Sequence, residues 1–253
     1  MQLKLPTLSI SIVSHLQGSL VKLLLGDIES VCKGMSIEVL LTLNLAENFD
    51  VDAENYFFPI TIHSNKQPSG FAENHNRAFS RASGQFFCVL NPDIRINDNP
   101  FVPLISCFEN PSVGVVAPLV FNEYGVLDNN ARFFPSPLKI LCKALGGCKG
   151  SDYEVKKEVI FPDWVGGMFM LFRSKVYKTM YGLNERYFLY YEDVDMCARL
   201  RLSGYQVALC PDAKVVHHAQ RSSHRSFKYF RWHLASMIRF FCSRDYWRLK
   251  YRK

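Results

Sequence analysis

The sequence predicts an α/β fold: one domain with a mostly parallel sheet flanked by helices. Apolar segments of strand length alternate with segments of helical periodicity from residue 8 to about residue 90. Polar residues directly follow several of these strands, and ligand sites in parallel sheets lie at the carboxyl ends of strands. With 253 residues, of which 48% are hydrophobic, the chain is long enough to form such a domain with a sizeable core.

The first half of the chain gives the clearest elements. Leu8, Ile10 and Ile12 alternate with serines, as in a strand. Apolar residues then recur at helical spacing from 20 to 31, and Gly34 ends that helix. Further strands are predicted at 37–43, 57–62 and 86–90, with a helix at 72–82. This alternation predicts the doubly wound arrangement of strands and helices.

The second half is less regular. We predict a strand at 113–120, followed by an irregular and partly mobile excursion over the active site at 122–162, because prolines and glycines interrupt this region. A strand at 164–172 and a helix at 192–203 come next. Short edge strands are expected at 207–209 and 214–216.

Two short motifs carry the acidic residues of greatest interest. Asn91-Pro92-Asp93 follows the apolar strand 86–90, and Glu192-Asp193-Val194-Asp195 opens a helix. A carboxylate at a strand end supplies the oxygen ligand that a diphosphate-bound Mg²⁺ requires. A second carboxylate across the cleft can accept a proton from an attacking hydroxyl. Turn chemistry is the alternative for the first motif, and the helix dipole favours acids at the second.

At these and five further motifs the chain resembles the inverting glycosyltransferases of family 2, which have the GT-A fold. The closest members are bacterial rhamnosyltransferases that build O-antigen and related surface glycans. The seven matching stretches follow the family's order and comprise 8–15, 70–72 with Asn76-Arg77, 90–93, 163–170, 182–188, 192–197 and 215–218. Together they cover most of the chain.

The resemblance implies a role for each motif. Asp93 and His217 would hold Mg²⁺ or Mn²⁺ on the donor diphosphate, and Asp193 would be the general base. Asn91 stands where the family's commoner motif has a second acid, so Asp93 is expected to carry the coordination. Asp195 is expected to brace the loop or to pair with Arg199 one helical turn later.

The resemblance also assigns the substrate contacts. The donor-binding residues would be Ser14, Asn44, Asn76, Arg77, Asn91 and Asp93. The acceptor-binding residues would be Trp164, Gly166, Gly167 and Glu192. A solvated helix face is the alternative for Asn76 and Arg77, a packed core with a bulge is the alternative at 164–167, and a structural role is the alternative for His217.

The resemblance suggests dTDP-L-rhamnose as the donor and a polyprenyl-diphosphate-linked saccharide as the acceptor, in the synthesis of bacterial surface polysaccharide. Two other functions are compatible with parts of the sequence. A sugar nucleotidyltransferase also uses metal-bound acids on a parallel sheet, but the segment 14–18 lacks its Gly-rich, lysine-bearing phosphate loop. In a non-enzymatic basic module, binding of membrane or nucleic acid would not depend on the carboxylates of Asp93 and Asp193.

The C-terminal region differs from the rest of the chain in charge. Residues 221–253 hold ten Lys and Arg but one acid, Asp245, in a protein of net charge +7. Six apolar residues of this segment fall on one stripe of a helix: Phe227, Phe230, Leu234, Met237, Ile238 and Phe241. This pattern fits either a helix packed on the domain or a helix lying on an anionic membrane. Nucleic-acid binding is not expected, because the remaining chain is slightly acidic and has no reader motif.

We therefore divide the chain into a GT-A domain at 1–220 and a basic helical tail at 221–253. Residues 1–112 would bind the nucleotide sugar, and 113–220 would bind the acceptor. The eight cysteines show no metal-ligand spacing and are expected to be reduced thiols. We find no signal-peptide pattern and no transmembrane-length apolar run. The expected location is cytoplasmic, at the inner face of the bacterial plasma membrane.

Overall fold

A computed structural model describes residues 7–144, 146–147, 150–155, 157–218 and 227–251. The strands are β1 (Leu8–Ser14), β2 (Ile37–Leu43), β3 (Ile60–Ser64), β4 (Phe86–Leu90), β5 (Ile94–Arg95), β6 (Val113–Asn122), β7 (Ala131–Arg132), β8 (Trp164–Val165), β9 (Phe169–Arg173) and β10 (Gln206–His217). The α-helices are α1 (Gly18–Val31), α2 (Phe71–Phe79), α3 (Phe101–Ser106), α4 (Pro137–Ala144), α5 (Ser174–Thr179), α6 (Glu192–Leu202), α7 (Phe227–Phe241) and α8 (Arg244–Tyr251).

Eight strands form one sheet in the order β3-β2-β1-β4-β9-β6-β10-β5. The pairs among β3, β2, β1 and β4 are parallel, and β6 is parallel to β10. The strand β9 is antiparallel to both of its neighbours, and β5 is antiparallel to β10. The predicted mostly parallel α/β sheet is therefore confirmed.

Sequence alternation in β1 explains how the sheet is covered on both faces. Leu8, Ile10 and Ile12 belong to the apolar core that includes α1. The intervening Ser9 and Ser11 are buried as well, and each has a polar partner. The hydroxyl of Ser9 donates to Glu38, and that of Ser11 is 2.8 Å from Nδ1 of His75. Buried hydroxyls are tolerated at these positions because they are hydrogen-bonded.

The predicted short edge strands at 207–209 and 214–216 are wrong. Both belong to β10, one strand of 12 residues that lies between β6 and β5. Its pairing with β6 shifts between Cys210 and Lys214, so that the segment around Pro211 forms an irregularity within the strand. Proline lacks the amide hydrogen that a regular ladder needs, and the chain accommodates it by this shift in register.

Four other regions differ from the predictions. The predicted helix at 72–82 ends at Phe79, and the third strand begins at Ile60. The excursion at 122–162 contains β7 and α4 within its described residues. The predicted strand at 164–172 is interrupted at 166–168, which separates β8 from β9.

The C-terminal helices pack on the domain. Phe240 of α7 and Tyr246 of α8 are buried with Tyr187, Tyr191 and Val194 in a separate apolar cluster. Burying side chains of this size stabilises the fold by about 1.5–3 kcal/mol each. The predicted boundary at residue 220 lies outside the described residues. No helix in the described segments is long and apolar enough to cross a membrane.

The cysteines depart from expectation at one position. Six cysteines are free, at 32, 88, 107, 197, 210 and 242. Cys142, in α4, is disulfide-bonded, so the prediction of reduced thiols throughout is wrong there. Cys142 lies in the excursion, close to the glycines at 146, 147 and 150, and nothing in its spacing from other cysteines predicts a bond.

Candidate active site

Asp93 and His217 are brought together by strand pairing. Asp93 directly precedes β5, and Ile94 pairs with His217 across the antiparallel β5–β10 contact. The amide of His218 donates to the backbone carbonyl of Asp93 at 2.9 Å. Consequently, Nε2 of His217 lies 3.4 Å from Oδ2 of Asp93, with both side chains largely buried. The two predicted metal ligands are therefore neighbours, although 124 positions separate them in the sequence.

His217 lies between two carboxylates. Its Nδ1 is 3.9 Å from Oδ2 of Asp128, a distance suited to an ion pair rather than a hydrogen bond. Burial alone would lower the pKa of the imidazole, but the carboxylates of Asp128 and Asp93 outweigh burial and raise this pKa to about 9. The contact with His217 lowers the pKa of the Asp128 carboxyl.

Asp193 is held by two backbone amides. The amide of Gly167 donates to its Oδ2 at 2.9 Å, and the amide of Val194 donates to its Oδ1 at 2.8 Å. A Cβ added at Gly167 would lie 3.4 Å from Cβ of Asp193, which is an ordinary van der Waals contact. The two amide hydrogen bonds therefore orient the carboxylate.

The turn at 166–168 links the two acidic motifs. While Gly167 binds Asp193, the carbonyl of the next residue, Met168, accepts a hydrogen bond from the amide of Asn91 at 2.9 Å. Asn91 begins the turn that ends at Asp93, after β4. The adjacent strands β4 and β9 therefore bring both motifs to one edge of the sheet. Ligand sites are expected at this end of a parallel sheet, and the roles of both motifs stay predictions.

The acidic pair at the start of α6 is electrostatically unusual. Burial and the charge of Asp193 raise the pKa of Glu192 well above its usual range. Burial also raises the pKa of Asp193, opposed by the two amide hydrogen bonds and by the charge of Arg132. Oε2 of Glu192 has no hydrogen-bond partner among the described residues. Two neighbouring carboxyls in different environments are suited to separate roles, one ionised and one neutral.

Asp195 has the bracing role that the sequence predicted. Its Oδ2 is 2.7 Å from Nε of Arg199, one helical turn later, and its Oδ1 accepts from Asn184 at 3.2 Å. The guanidinium of Arg199 also donates to the carbonyl of Gly182 at 2.9 Å. Both alternatives proposed for Asp195, bracing the loop and pairing with Arg199, are confirmed together.

The proposed nucleotide residues after β1 and β2 are tied to the protein. Ser14 is buried and its hydroxyl donates to Glu47. The side chain of Asn44 donates to the carbonyl of Ser69 at 3.0 Å and accepts from the amide of Ser69 at 2.8 Å. It also accepts from Asn65 at 2.9 Å. These contacts shape the loop beside the site, and a direct donor contact stays a prediction.

Asn76 and Arg77 have different surroundings. Asn76 joins α2 to the loop before α6, accepting from the amide of Leu183 at 2.9 Å and donating to its carbonyl at 2.8 Å. Arg77 is more exposed and pairs with Glu73. It borders a depression of about 660 Å³ lined by residues 63–69, Glu73 and Arg77. This depression starts at the carboxyl end of β3, which is an edge strand of the sheet.

The proposed acceptor residues lie along the short β7–β8 ladder. Arg132 pairs with Trp164 across this ladder, and its guanidinium carbon lies 5.5 Å from the centroid of the Trp164 ring. The indole nitrogen donates to the carbonyl of Phe133 at 3.0 Å. The amide of Gly166 donates to the carbonyl of Asn130 at 2.9 Å. Trp164 is thus fixed in place by the excursion that precedes it.

The residues around Asp93 fit a divalent cation shared with a substrate. Oδ1 of Asp93 is buried without a hydrogen-bond partner among the described residues. No group of three or more His, Cys, Asp or Glu in the described segments forms a complete metal centre. Asp128 faces the opposite ring nitrogen of His217 from Asp93, so these three side chains do not converge. Mg²⁺ sites commonly use one or two protein ligands and complete the shell with substrate phosphates and water.

Asp128 and Arg132 were not predicted as site residues. Both belong to the excursion, which was predicted as irregular. Asp128 reaches His217 because its amide donates to the carbonyl of Val120 at 2.7 Å, which folds the segment back onto β6. No local pattern marks either residue, since their partners are distant in the sequence.

Comparisons with known proteins bear on the family and the fold of the chain. Residues 152–235 match the model of the family described as glycosyltransferase like family 2. Rhamnosyltransferase WbbL of Escherichia coli (strain K12) is 29% identical over 185 residues, which are 68% of this chain and 69% of WbbL. N-acetylglucosaminyl-diphospho-decaprenol L-rhamnosyltransferase of Mycobacterium tuberculosis (strain H37Rv) is 29% identical over 147 residues. That match covers 54% of this chain and 48% of the mycobacterial protein.

Among solved structures, the crystal structure of GalNAc-T7 with UDP, GalNAc and Mn²⁺ aligns with a TM-score of 0.66. It shares 14% sequence identity and covers 85% of this chain, which in turn spans 43% of that chain. The chain therefore has the GT-A fold. Its resemblance to family 2 glycosyltransferases is confirmed.

Proposed function

We propose that this protein is an inverting glycosyltransferase that moves a sugar from a nucleotide diphosphate donor to an acceptor hydroxyl. The observation that carries the proposal is the turn at 166–168, which contacts the strand end before Asp93 and the carboxylate of Asp193. The turn supports the proposed roles of Asp93 as the cation-binding carboxylate and Asp193 as the base, because it joins their two motifs at one end of the sheet. The family 2 match includes Asp193 and His217.

The residues of the candidate site have separate roles in the proposed reaction. Asp93 and the neutral form of His217 would hold Mg²⁺ or Mn²⁺, which when bound neutralises the charge of the departing diphosphate. Asp193 accepts the proton of the acceptor hydroxyl as the oxygen attacks the anomeric carbon. Its raised pKa makes it a stronger base than an ordinary aspartate. Glu192, in its neutral form, can donate a hydrogen bond to the acceptor.

The donor and acceptor follow from the relatives. We propose dTDP-L-rhamnose as the donor because WbbL and the mycobacterial relative are both named rhamnosyltransferases. We propose a polyprenyl-diphosphate-linked saccharide as the acceptor because the name of the mycobacterial enzyme specifies a diphospho-decaprenol substrate. The corresponding process is synthesis of a bacterial surface polysaccharide such as O-antigen.

The proposal is tested by measuring the melting temperature of the protein with a panel of nucleotide sugars, each with and without Mn²⁺. Binding to the folded state raises the melting temperature according to ligand concentration and affinity. We expect dTDP-L-rhamnose with Mn²⁺ to give the largest shift. If no nucleotide sugar stabilises the protein at millimolar concentration, the proposed donor class is wrong.

A membrane location is proposed from the outer surface of α7. Four of its apolar side chains form an exposed ridge, the α7 ridge: Phe227, Phe230, Leu234 and Ile238. Basic residues on α7 and α8 are also exposed, including Lys228, Arg231, Arg239, Arg248 and Lys250. Apolar residues beside basic residues suit the cytoplasmic surface of an anionic membrane, where a polyprenyl-linked acceptor would lie.

Replacing three α7 ridge residues by serine, as Phe230→Ser, Leu234→Ser and Ile238→Ser together, should release the protein from vesicles containing phosphatidylserine. The helix should stay folded, because its inner face keeps Phe240 buried. Co-sedimentation measures binding, and Val102→Ser on α3, also exposed, is the matched control. Raising the salt concentration should weaken wild-type binding by screening the basic residues. A triple variant that sediments like the wild type would contradict the membrane proposal.

A further inference from the structure

The segment leading into α6 has an unusual backbone. Tyr190 and Tyr191 both have φ of +69°, in the left-handed region that bulky residues avoid. Such residues cost on the order of 1–3 kcal/mol each and persist when surrounding contacts determine their conformation. Asp193 follows two positions later. The orientation of the proposed base therefore depends on what holds residues 187–191, here called the aromatic loop.

The inner face of α7 holds the aromatic loop at successive helical turns. The hydroxyl of Ser236 is buried and donates to the carbonyl of Leu189 at 2.9 Å. The ring of His233 packs edge-on against Tyr190 and Tyr191, with centroid distances of 5.3 and 5.5 Å. Aromatic contacts of this geometry add to the stabilisation that burial provides.

The other side of the aromatic loop is held by α2. The amide of Phe71 donates to the carbonyl of Phe188 at 2.9 Å. A Cβ added at Gly70 would lie 2.8 Å from that carbonyl oxygen, so the approach requires glycine. Trp232 of α7 packs on the ring of Phe188 at 4.6 Å. The aromatic loop is thus packed between α2 and α7.

We infer that Ser236 and His233 are positioning residues for the general base. They touch neither of the reacting groups, but they fix the aromatic loop that leads into α6, whose first turn carries Asp193. This inference rests on the proposed function, because it takes Asp193 to be the general base. The orientation of that base then affects the rate of transfer. A misplacement of about 1 Å in a catalytic group can lower a rate by 10²-fold, so a loosened loop should reduce kcat rather than donor affinity.

The test is Ser236→Ala, measured for kcat, donor affinity and amide hydrogen exchange across 187–196. We expect kcat to fall by about ten-fold, consistent with the loss of one buried hydrogen bond and a displaced base. Donor affinity should stay within two-fold of the wild type, and exchange across 187–196 should become faster. Ser236→Thr keeps the hydroxyl and should restore all three properties.

Two further variants complete the design. Ser30→Ala, on the exposed face of α1, removes a helical serine hydroxyl away from the site and should change none of these measurements. His233→Ala should resemble Ser236→Ala, whereas His233→Phe should retain the ring contacts and most of the rate. Unchanged exchange in both Ser236→Ala and His233→Ala would overturn the inference, as would an equal loss of donor affinity and kcat.

The exchange measurement separates this inference from the proposed function. If exchange becomes faster but the wild-type protein transfers no sugar from any nucleotide donor, the transferase proposal fails while α7 is still shown to hold the loop. If the wild type transfers sugar and kcat of Ser236→Ala stays within two-fold of it, the positioning role fails and the transferase proposal stands.

Discussion

Asp193→Asn is expected to abolish sugar transfer while leaving donor binding nearly intact. The amide has the shape of the carboxylate but cannot accept the proton of the acceptor hydroxyl. Removing a general base typically lowers kcat by about 10² to 10⁴-fold. Donor affinity should change little, because the carboxylate of Asp193 is bound by the amides of Gly167 and Val194 on the proposed acceptor side. Initial rates at saturating donor and acceptor measure the effect.

The matched control is Asp98→Asn, which changes an exposed aspartate after β5 and should leave kcat unaltered. The pH dependence gives a second check. Burial raises the pKa of Asp193, so kcat should fall on acidification at a pH above the ordinary aspartate range. The base is active when ionised, and lowering the pH protonates it. A variant with more than about a tenth of the wild-type kcat would contradict the assignment, since base removal typically costs at least 10²-fold.

Asp93→Ala should remove metal-dependent donor binding. Asn91 supplies no charge in place of the lost carboxylate, and His217 would keep Asp128 as its acidic neighbour. Even substitutions behind a metal ligand typically cost 10–100-fold in metal affinity, so a ligand itself should cost at least about that much. Titration calorimetry with the donor, with Mn²⁺ and with EDTA, measures the effect.

Asp50→Ala, at an exposed position, is the control and should bind donor like the wild type. In the Asp93→Ala variant, Mn²⁺ should no longer increase donor affinity, although the melting temperature of the free protein should show that it is folded. If the wild type binds donor equally well with Mn²⁺ and with EDTA, the metal role of both Asp93 and His217 is wrong.

The sequence predicted the sheet and the acidic motifs because these features are local. The alternation in β1 and the apolar run of β4 indicate buried strands directly from the sequence. Asp93 follows β4, and Asp193 lies in the first turn of α6. The bracing of Asp195 by Arg199 also follows from helical spacing. Short-range periodicity carries all of this information.

The contacts that complete the site are long-range, and no local pattern contains them. Asp128 meets His217 because the excursion folds back on β6, and the turn at 166–168 interrupts what reads as one strand. The apolar stripe of the C-terminal segment shows the same limit. Its periodicity predicted one face, but Met237 and Phe241 pack on the domain whereas Phe230 and Ile238 stay exposed. Periodicity identifies an amphipathic helix without specifying which of its apolar residues meet a partner.

In the proposed reaction, an acceptor that Asp193 deprotonates directly displaces the diphosphate at the anomeric carbon. The most direct test is the anomeric configuration of the transferred sugar, determined by NMR with the donor that stabilises the protein most. We expect the configuration in the product to be opposite to that in the donor, because the acceptor attacks the face away from the departing diphosphate. A product that retains the configuration of the donor would contradict the mechanism.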